Sequence, residues 1–190
     1  TVSDPATATG LQFGEIELLP YPELTSPDDQ VSMTVTPGVS VSGAVNTLFD
    51  RSVAWVADRL AVDGNNYDEA SHSFVPTWIV VELTPAKGPT ILKRFELVGA
   101  GDDGLYSVRP VPDPIELWGS NDGVNYTLIS TLRLSRSYGP SRSIYEFSLE
   151  ANTQAFAQYR ISMKHVPSVT HVGELRLFGD APPAPPTVAR

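Results

Sequence analysis

Residues 119–127, with the sequence GSNDGVNYT, constrain the fold more than any other part of the chain. Ser, Asn, Asp and Gly tolerate the backbone angles of a tight turn. Apolar and polar residues alternate on both sides of this turn, with Ile115 and Leu117 before it and Tyr126 and Leu128 after it. Alternation with a period of two is typical of a half-buried strand. The segment therefore predicts a β-hairpin within a larger sheet.

Further alternating segments recur along the chain and are separated by residues that favour turns. They predict strands near 31–36, 77–83, 91–98, 114–118, 126–132, 144–149, 157–163 and 171–178. The predicted helical content is one short turn over 44–50. The 17 Pro and 14 Gly fit many short strands joined by turns. The expected fold class is therefore all-β, an antiparallel β-sandwich.

Composition argues against several classes of function. The 190 residues include no cysteine, which removes disulfides, thiol catalysis and cysteine-based zinc sites. The net charge of −9 disfavours nucleic acid and anionic membrane surfaces, although solubility alone is also a sufficient reason for it. The sequence has no apolar run of about 18 residues, the length that a membrane-spanning helix needs, so no membrane span is predicted. Scattered histidines and the lack of a Gly-x-Ser-x-Gly or phosphate-loop motif predict that the chain is not an enzyme.

The sequence divides into a central sandwich and two extensions. Residues 1–27 form an N-terminal extension and linker, 28–180 form the sandwich, and 181–190 form a proline-rich linker or tail. The extension contains FGEIELL at 13–19, which resembles VGELRLF at 172–178. It is interpreted as the tail of a preceding similar domain or as an added strand, with chance recurrence as the alternative.

Three segments, in order, resemble one known family. They are NTLFD at 46–50 with TWIVVEL at 77–83, PIELW at 114–118 leading into the 119–127 turn, and QYRISM at 158–163 with VGELRLFG at 172–179. The chain resembles the discoidin-like domain, also called the coagulation factor V/VIII C-type domain, and the related family 32-type carbohydrate-binding modules. The resemblance implies a galactose-binding-like jelly roll that binds a partner through its loops, usually a glycan and sometimes a lipid or a protein.

A sugar site needs an aromatic face for the ring and planar polar groups for the hydroxyls. Long segments at 57–76, 99–113 and 132–143 supply both kinds of residue, and His165 and His171 flank a further loop. The alternative for each residue alone is a solvated loop side chain, and the glycan interpretation requires that the loops lie at one end of the sandwich. The predicted ligand-binding residues are Tyr67, His72, Tyr106, Arg109, Arg136, Tyr138 and Arg142.

Four further aromatic residues receive separate interpretations. Trp78 and Trp118 lie in strand patterns and are predicted to pack in the core. Tyr126 takes a position where the resembled family often has a buried aromatic residue, so it is also predicted to be buried. Trp55 follows the predicted turn and is compatible with either environment.

The resemblance also implies a structural calcium. Carried over to this chain, its ligands are Asp50, Ser52 and Glu174, whose oxygen atoms suit this cation. Arg51 stands where the family has glycine and places a positive charge beside the site. The alternative is that Asp50 caps a turn and Glu174 pairs with a neighbouring arginine such as Arg51.

Together these features predict a non-catalytic binding module that recognises a glycan or surface receptor. It is expected to be extracellular, on a cell surface or on a virion, as one part of a larger protein. The alternative is a structural subunit, such as part of a viral tail fibre, decoration protein or surface filament, that contacts neighbouring subunits. Neither prediction includes nucleic-acid binding or membrane insertion.

Overall fold

The structure is a computed structural model that describes residues 21–26, 28–35, 40–49, 60–64, 67–100, 108–134, 138–140, 143–165 and 168–181. All eight predicted strands are present, and the last is divided in two. The short helix predicted over 44–50 is a 3-10 helix, Val45–Phe49. The strands are β1 Gln30–Val35, β2 Ser40–Ser42, β3 Leu60–Gly64, β4 Tyr67–Asp68, β5 Ser73–Phe74, β6 Trp78–Thr84, β7 Ile91–Val98, β8 Val108–Pro110, β9 Ile115–Ser120, β10 Thr127–Leu132, β11 Tyr138–Pro140, β12 Ile144–Ser148, β13 Gln158–Lys164, β14 Ser168–Val172 and β15 Glu174–Asp180.

Two antiparallel sheets form the sandwich. Among the described residues, the larger has the order β1-β6-β13-β9-β10 and the smaller has the order β12-β7-β15. Alternate residues of each strand point to the space between the sheets because side chains change face at every residue. The prediction of an all-β sandwich is confirmed. Its core includes Ile79, Val81, Leu83, Ile115, Leu117, Ile161 and Met163 from the larger sheet and Phe95, Leu97, Leu175 and Leu177 from the smaller.

Antiparallel pairing gathers the long connections at one end of the sandwich, here called the loop end. The segments that follow β1, β7, β10 and β13 all leave from this end, and those that precede β6, β9, β12 and β15 all return to it. The opposite end, here called the turn end, carries the β6–β7, β9–β10 and β12–β13 connections. Strand pairs at the loop end join Trp78 to Lys164, Ile115 to Met163 and Val98 to Glu174.

The β9–β10 turn at the turn end is held together by its own polar side chains. The Asp122 carboxylate accepts hydrogen bonds from the backbone N–H groups of Val124 at 2.9 Å and Asn125 at 2.7 Å. Gly123 takes a φ of +73°, which favours glycine. The Asn121 side chain bonds the facing connection, accepting from the N–H of Ala157 at 2.9 Å. The predicted hairpin is confirmed, and these side chains stabilise its turn.

Residues immediately before β1 pack against the smaller sheet. The N–H of Leu24 donates to the carbonyl of Leu177 at 2.6 Å, and the N–H of Gly179 donates to the carbonyl of Pro22 at 3.0 Å. Leu24 is buried in the core. This part of the predicted linker therefore lies on the sandwich, whereas the resembling segment 13–19 and the tail 182–190 are outside the described residues.

None of the helices in the described part of the chain has the length and apolar character needed to cross a membrane.

Candidate functional site

Two of the long segments predicted to carry ligand-binding residues pair with each other at the loop end. Strand β8, from the 99–113 segment, is antiparallel to β11, from the 132–143 segment, with Arg109 opposite Gly139 and Tyr138 opposite Pro110. The Asp113 carboxylate accepts the N–H of Leu134 at 3.1 Å and ties the two segments together. The pairing thus brings the backbone positions of Arg109 and Tyr138 next to each other.

The third predicted segment reaches the same end as a small hairpin. Strands β4 and β5 pair Tyr67 with Phe74, and the chain then enters β6 at the loop end. His72 lies exposed in the turn of this hairpin with a φ of +49°. For Tyr67, Arg109 and Tyr138 the structure describes the backbone. Tyr106, Arg136 and Arg142 lie outside the described residues.

The two histidines beside the last long connection are buried, at 6% exposure for His165 and 4% for His171. The Nδ1 of His165 is 2.8 Å from the hydroxyl oxygen of Thr170. The backbone N–H of His165 donates to the carbonyl of Thr77 at 2.9 Å. These contacts join the start of β6 to the β13–β14 connection. His165 therefore stabilises the loop end, and His171 is buried on the adjacent strand β14.

Glu174, the described member of the predicted calcium set, is bonded to an arginine. Its Oε2 accepts from Nη2 of Arg176 at 2.6 Å and from Nε at 3.0 Å, and the Glu174 side chain is 1% exposed. Burial alone would lower the pKa of Arg176, but the hydrogen bond to and charge of Glu174 outweigh burial and raise it. A cation here would share Glu174 with this guanidinium.

Asp50 and Ser52, the other two predicted calcium ligands, lie outside the described residues, as does Trp55. The 3-10 helix that ends one residue before Asp50 contacts β15, the strand that begins with Glu174. Within the described ranges, no group of three or more His, Asp or Glu side chains could hold a metal ion. The calcium site stays a prediction.

Trp78, Trp118 and Tyr126 are half-buried and do not belong to the core cluster, so their predicted core positions were wrong. Ile79 on β6 and Leu117 on β9 point inward, and alternation therefore turns the adjacent tryptophans to the outer face of the larger sheet.

A polar and aromatic cluster lies on this outer face. The Arg160 guanidinium donates to Oε1 of Glu82 from Nε at 2.9 Å and Nη2 at 2.7 Å. The same guanidinium lies 3.7 Å from the centre of the Tyr126 ring, and Trp118 is the strand neighbour of Arg160. Burial, followed by the charge of Glu82, raises the pKa of Tyr126. The alternation of β9 and β13 was the signal from which this cluster could have been found.

Solved structures with the same architecture identify the fold. A family 32 carbohydrate-binding module from Clostridium perfringens, in complex with GalNAc-β-1,3-galactose, aligns with 83% of this chain and 100% of its own at a TM-score of 0.55 and 18% identity. An F5/8 type C domain from Bacteroides fragilis aligns with 84% of this chain and 97% of its own, at 0.52 and 11%. The chain has the galactose-binding-like fold of discoidin domains.

The galactose-binding-like fold also occurs within an enzyme. Allantoicase from Saccharomyces cerevisiae aligns with 83% of this chain at a TM-score of 0.54 and 12% identity, but only 42% of the allantoicase chain is covered. No protein-family model matches the sequence, and no curated protein sequence is significantly similar to it.

Proposed function

We propose that this protein is a non-catalytic module that binds a glycan at the loop end of its galactose-binding-like sandwich. The observation that carries the proposal is the pairing of β8 with β11, since it joins two candidate segments into one ribbon in which the backbone positions of Arg109 and Tyr138 are neighbours. The shared fold with a carbohydrate-binding module supports the same function.

The proposed chemistry is stacking and hydrogen bonding. The Tyr138 ring would cover the apolar face of a sugar, and Arg109 and His72 would bond its hydroxyl groups. A neutral sugar is not repelled by the net charge of −9, whereas an anionic partner is. One small site of this kind is expected to bind with millimolar to micromolar affinity, about 4–8 kcal/mol.

A glycan array followed by calorimetry with the best ligand tests the proposal. We expect Tyr138→Ala and Arg109→Ala each to weaken binding by about tenfold. Tyr21→Ala is the matched control, because Tyr21 lies at the turn end, where its hydroxyl donates to Glu150 at 2.6 Å. Equal loss in all three variants, or no binding to any glycan, would overturn the loop-end site.

The setting proposed for this module is extracellular or on a surface, as one part of a larger protein. A structural calcium held by Asp50, Ser52 and Glu174 belongs to the same proposal. Thermal unfolding with calcium and with EDTA tests the ion: calcium should raise Tm, and Glu174→Gln should abolish the difference. Identical Tm values for the parent protein in both solutions would exclude a stabilising calcium.

One observation favours the alternative role as an assembly subunit. Strand β10 is an edge of the larger sheet among the described residues, and Leu128 on this strand and Val124 in the preceding turn expose 45% and 79% of their surface. An exposed edge can pair with another chain. However, the pairing of β10 with β9 shifts register between Leu128 and Ser130, and such a bulge weakens regular edge pairing. Sedimentation analysis separates a monomer from a multimer.

A further inference from the structure

A cavity of about 210 Å³ opens on the outer face of the larger sheet, away from the loop end. Its floor is the paired outward positions of β1 and β6, where Gln30 faces Thr84 and Ser32 faces Glu82. Its wall comes from β13 and from the end of the β9–β10 turn. The polar and aromatic side chains of its lining are Gln30, Ser32, Glu82, Thr84, Tyr126 and Gln158.

The lining has the chemistry of a site for a neutral hydroxylated molecule. The hydroxyl and amide side chains can both donate and accept hydrogen bonds, as sugar hydroxyls do. The Glu82 carboxylate is neutralised by Arg160 at 2.7 Å, so the cavity does not select a cation. The Tyr126 ring supplies the apolar surface that a sugar ring needs.

The volume of the cavity and the rigidity of its wall further restrict the class of ligand. Sites for drug-sized molecules measure roughly 300–1,000 Å³, so a cavity of about 210 Å³ suits a single ring. Arg160 holds the Tyr126 ring in place at 3.7 Å, and the Tyr126 hydroxyl is 3.4 Å from Oε1 of Glu82. A wall that is already ordered loses less conformational entropy when a ligand binds.

We propose that this outer-face cavity is a second binding site, which takes one neutral sugar ring independently of the loop end. The site goes beyond the proposed function, because it uses other residues on another surface of the sandwich. A chain with both sites would bind two sugar units of one glycan, or of two neighbouring glycans, and thereby gain avidity.

Titration of the ¹⁵N-labelled protein with galactose, N-acetylgalactosamine and glucose, followed by NMR, tests the proposal. At least one sugar should shift the amide signals of Ser32, Thr84 and Gln158. Tyr126→Phe and Gln158→Ala should each weaken this binding by about threefold to tenfold, the effect of one lost hydrogen bond. Tyr145→Phe is the matched control, since it removes a hydroxyl from a partly buried tyrosine of the smaller sheet and should leave the affinity unchanged.

This experiment tests the outer-face site and the loop-end site separately. Shifts confined to loop-end amides such as Gly139 and Thr170 would overturn the outer-face site and leave the loop-end proposal intact. Shifts confined to outer-face amides would overturn the loop-end proposal and leave the outer-face site intact. If none of the three sugars shifts either set of signals, the outer-face site is overturned for the neutral sugars it is proposed to take. Equal weakening by Tyr126→Phe and Tyr145→Phe would also overturn it.

Discussion

Arg160 stacks on Tyr126, with its guanidinium carbon 3.7 Å from the centre of the ring. Tyr126 lies at the end of the β9–β10 turn, and Arg160 lies on β13 between Glu82 and Trp118. The stack therefore connects the hairpin turn to the middle of the larger sheet. It also leaves the Tyr126 hydroxyl beside Glu82 and Gln158, where it forms part of the outer-face cavity.

The Arg160–Tyr126 contact should stabilise the fold by a measurable amount. In a double-mutant cycle with Arg160→Ala and Tyr126→Ala, we expect a coupling energy of about 0.5–1 kcal/mol, the range for partly exposed cation–π pairs. Urea unfolding of the four proteins measures it. The same cycle with Lys164→Ala in place of Arg160→Ala is the control and should give no coupling. Equal coupling in both cycles would contradict a specific stack.

Gly119 is required by close packing at the turn end. A Cβ atom at this position would collide with the ring of Phe156, which is buried at 2% exposure. We expect Gly119→Ala to lower the free energy of unfolding by about 1–3 kcal/mol, as overpacking of a core does. Thermal or urea unfolding checks this value.

A variant without the Phe156 ring is the control for this collision. In Phe156→Leu, which removes the ring, the same Gly119→Ala substitution should cost clearly less, because the two effects share one contact. An equal cost with and without the ring would show that the glycine is needed for its backbone and not for its missing side chain.

The positions of the eight long strands were predictable because alternation and turn residues are local, whereas the short strands β2 to β5, β8 and β11 were not predicted. The 119–127 turn and all eight strands follow from neighbouring residues alone, as does the 3-10 helix at 45–49. The pairing of β8 with β11 was not predicted, since it joins segments about 30 residues apart through backbone hydrogen bonds that carry no side-chain signature. The loop-end residues themselves remain a prediction.

The outer-face cluster was missed for a different reason. Large apolar side chains favour burial, and this preference led Trp118 to be assigned to the core, whereas Tyr126 was assigned there from the resemblance to the family. The alternation of β9 instead groups Trp118 with Glu116 on the outward face, and it correctly indicates that Trp118 lies outside the core. The ion pair between Arg160 and Glu82 depends on strand register across β6 and β13, which the sequence does not specify locally.

The burial of the carboxylate partner should determine how much Arg176 and Arg160 each contribute to the free energy of unfolding. Arg176→Met leaves the Glu174 carboxylate, at 1% exposure, without its 2.6 Å partner, and we expect a loss of about 3 kcal/mol in the free energy of unfolding. Arg160→Met is the matched control. Its partner Glu82 is 41% exposed and can be hydrated, so we expect a loss of about 1 kcal/mol. Urea unfolding measures both values.

A second substitution separates charge from packing at Arg176. Adding Glu174→Gln to Arg176→Met removes the buried charge and should recover part of the lost stability. If the double variant is less stable than Arg176→Met, the destabilisation does not come from the loss of the Glu174–Arg176 ion pair.

The Asp122 carboxylate should make the stability of the hairpin depend on pH. Hydrogen bonds from the Asn125 side chain, the Asn125 N–H and the Val124 N–H lower its pKa below the usual value. A lowered folded-state pKa means that the stabilisation is present above the unfolded value of about 3.9 and is lost as the pH falls below it. Asp122→Ala should therefore be less stable than the parent protein at pH 7, and the difference should shrink as the pH falls from about 4 towards 2.

Urea unfolding at a series of pH values checks this dependence. Asp28→Ala serves as the control, because Asp28 is an exposed aspartate of another turn. The Asp28 variant should follow the parent protein across the whole range. A difference between Asp122→Ala and the parent that stays constant down to pH 2 would mean that the turn is stabilised by something other than the ionised carboxylate.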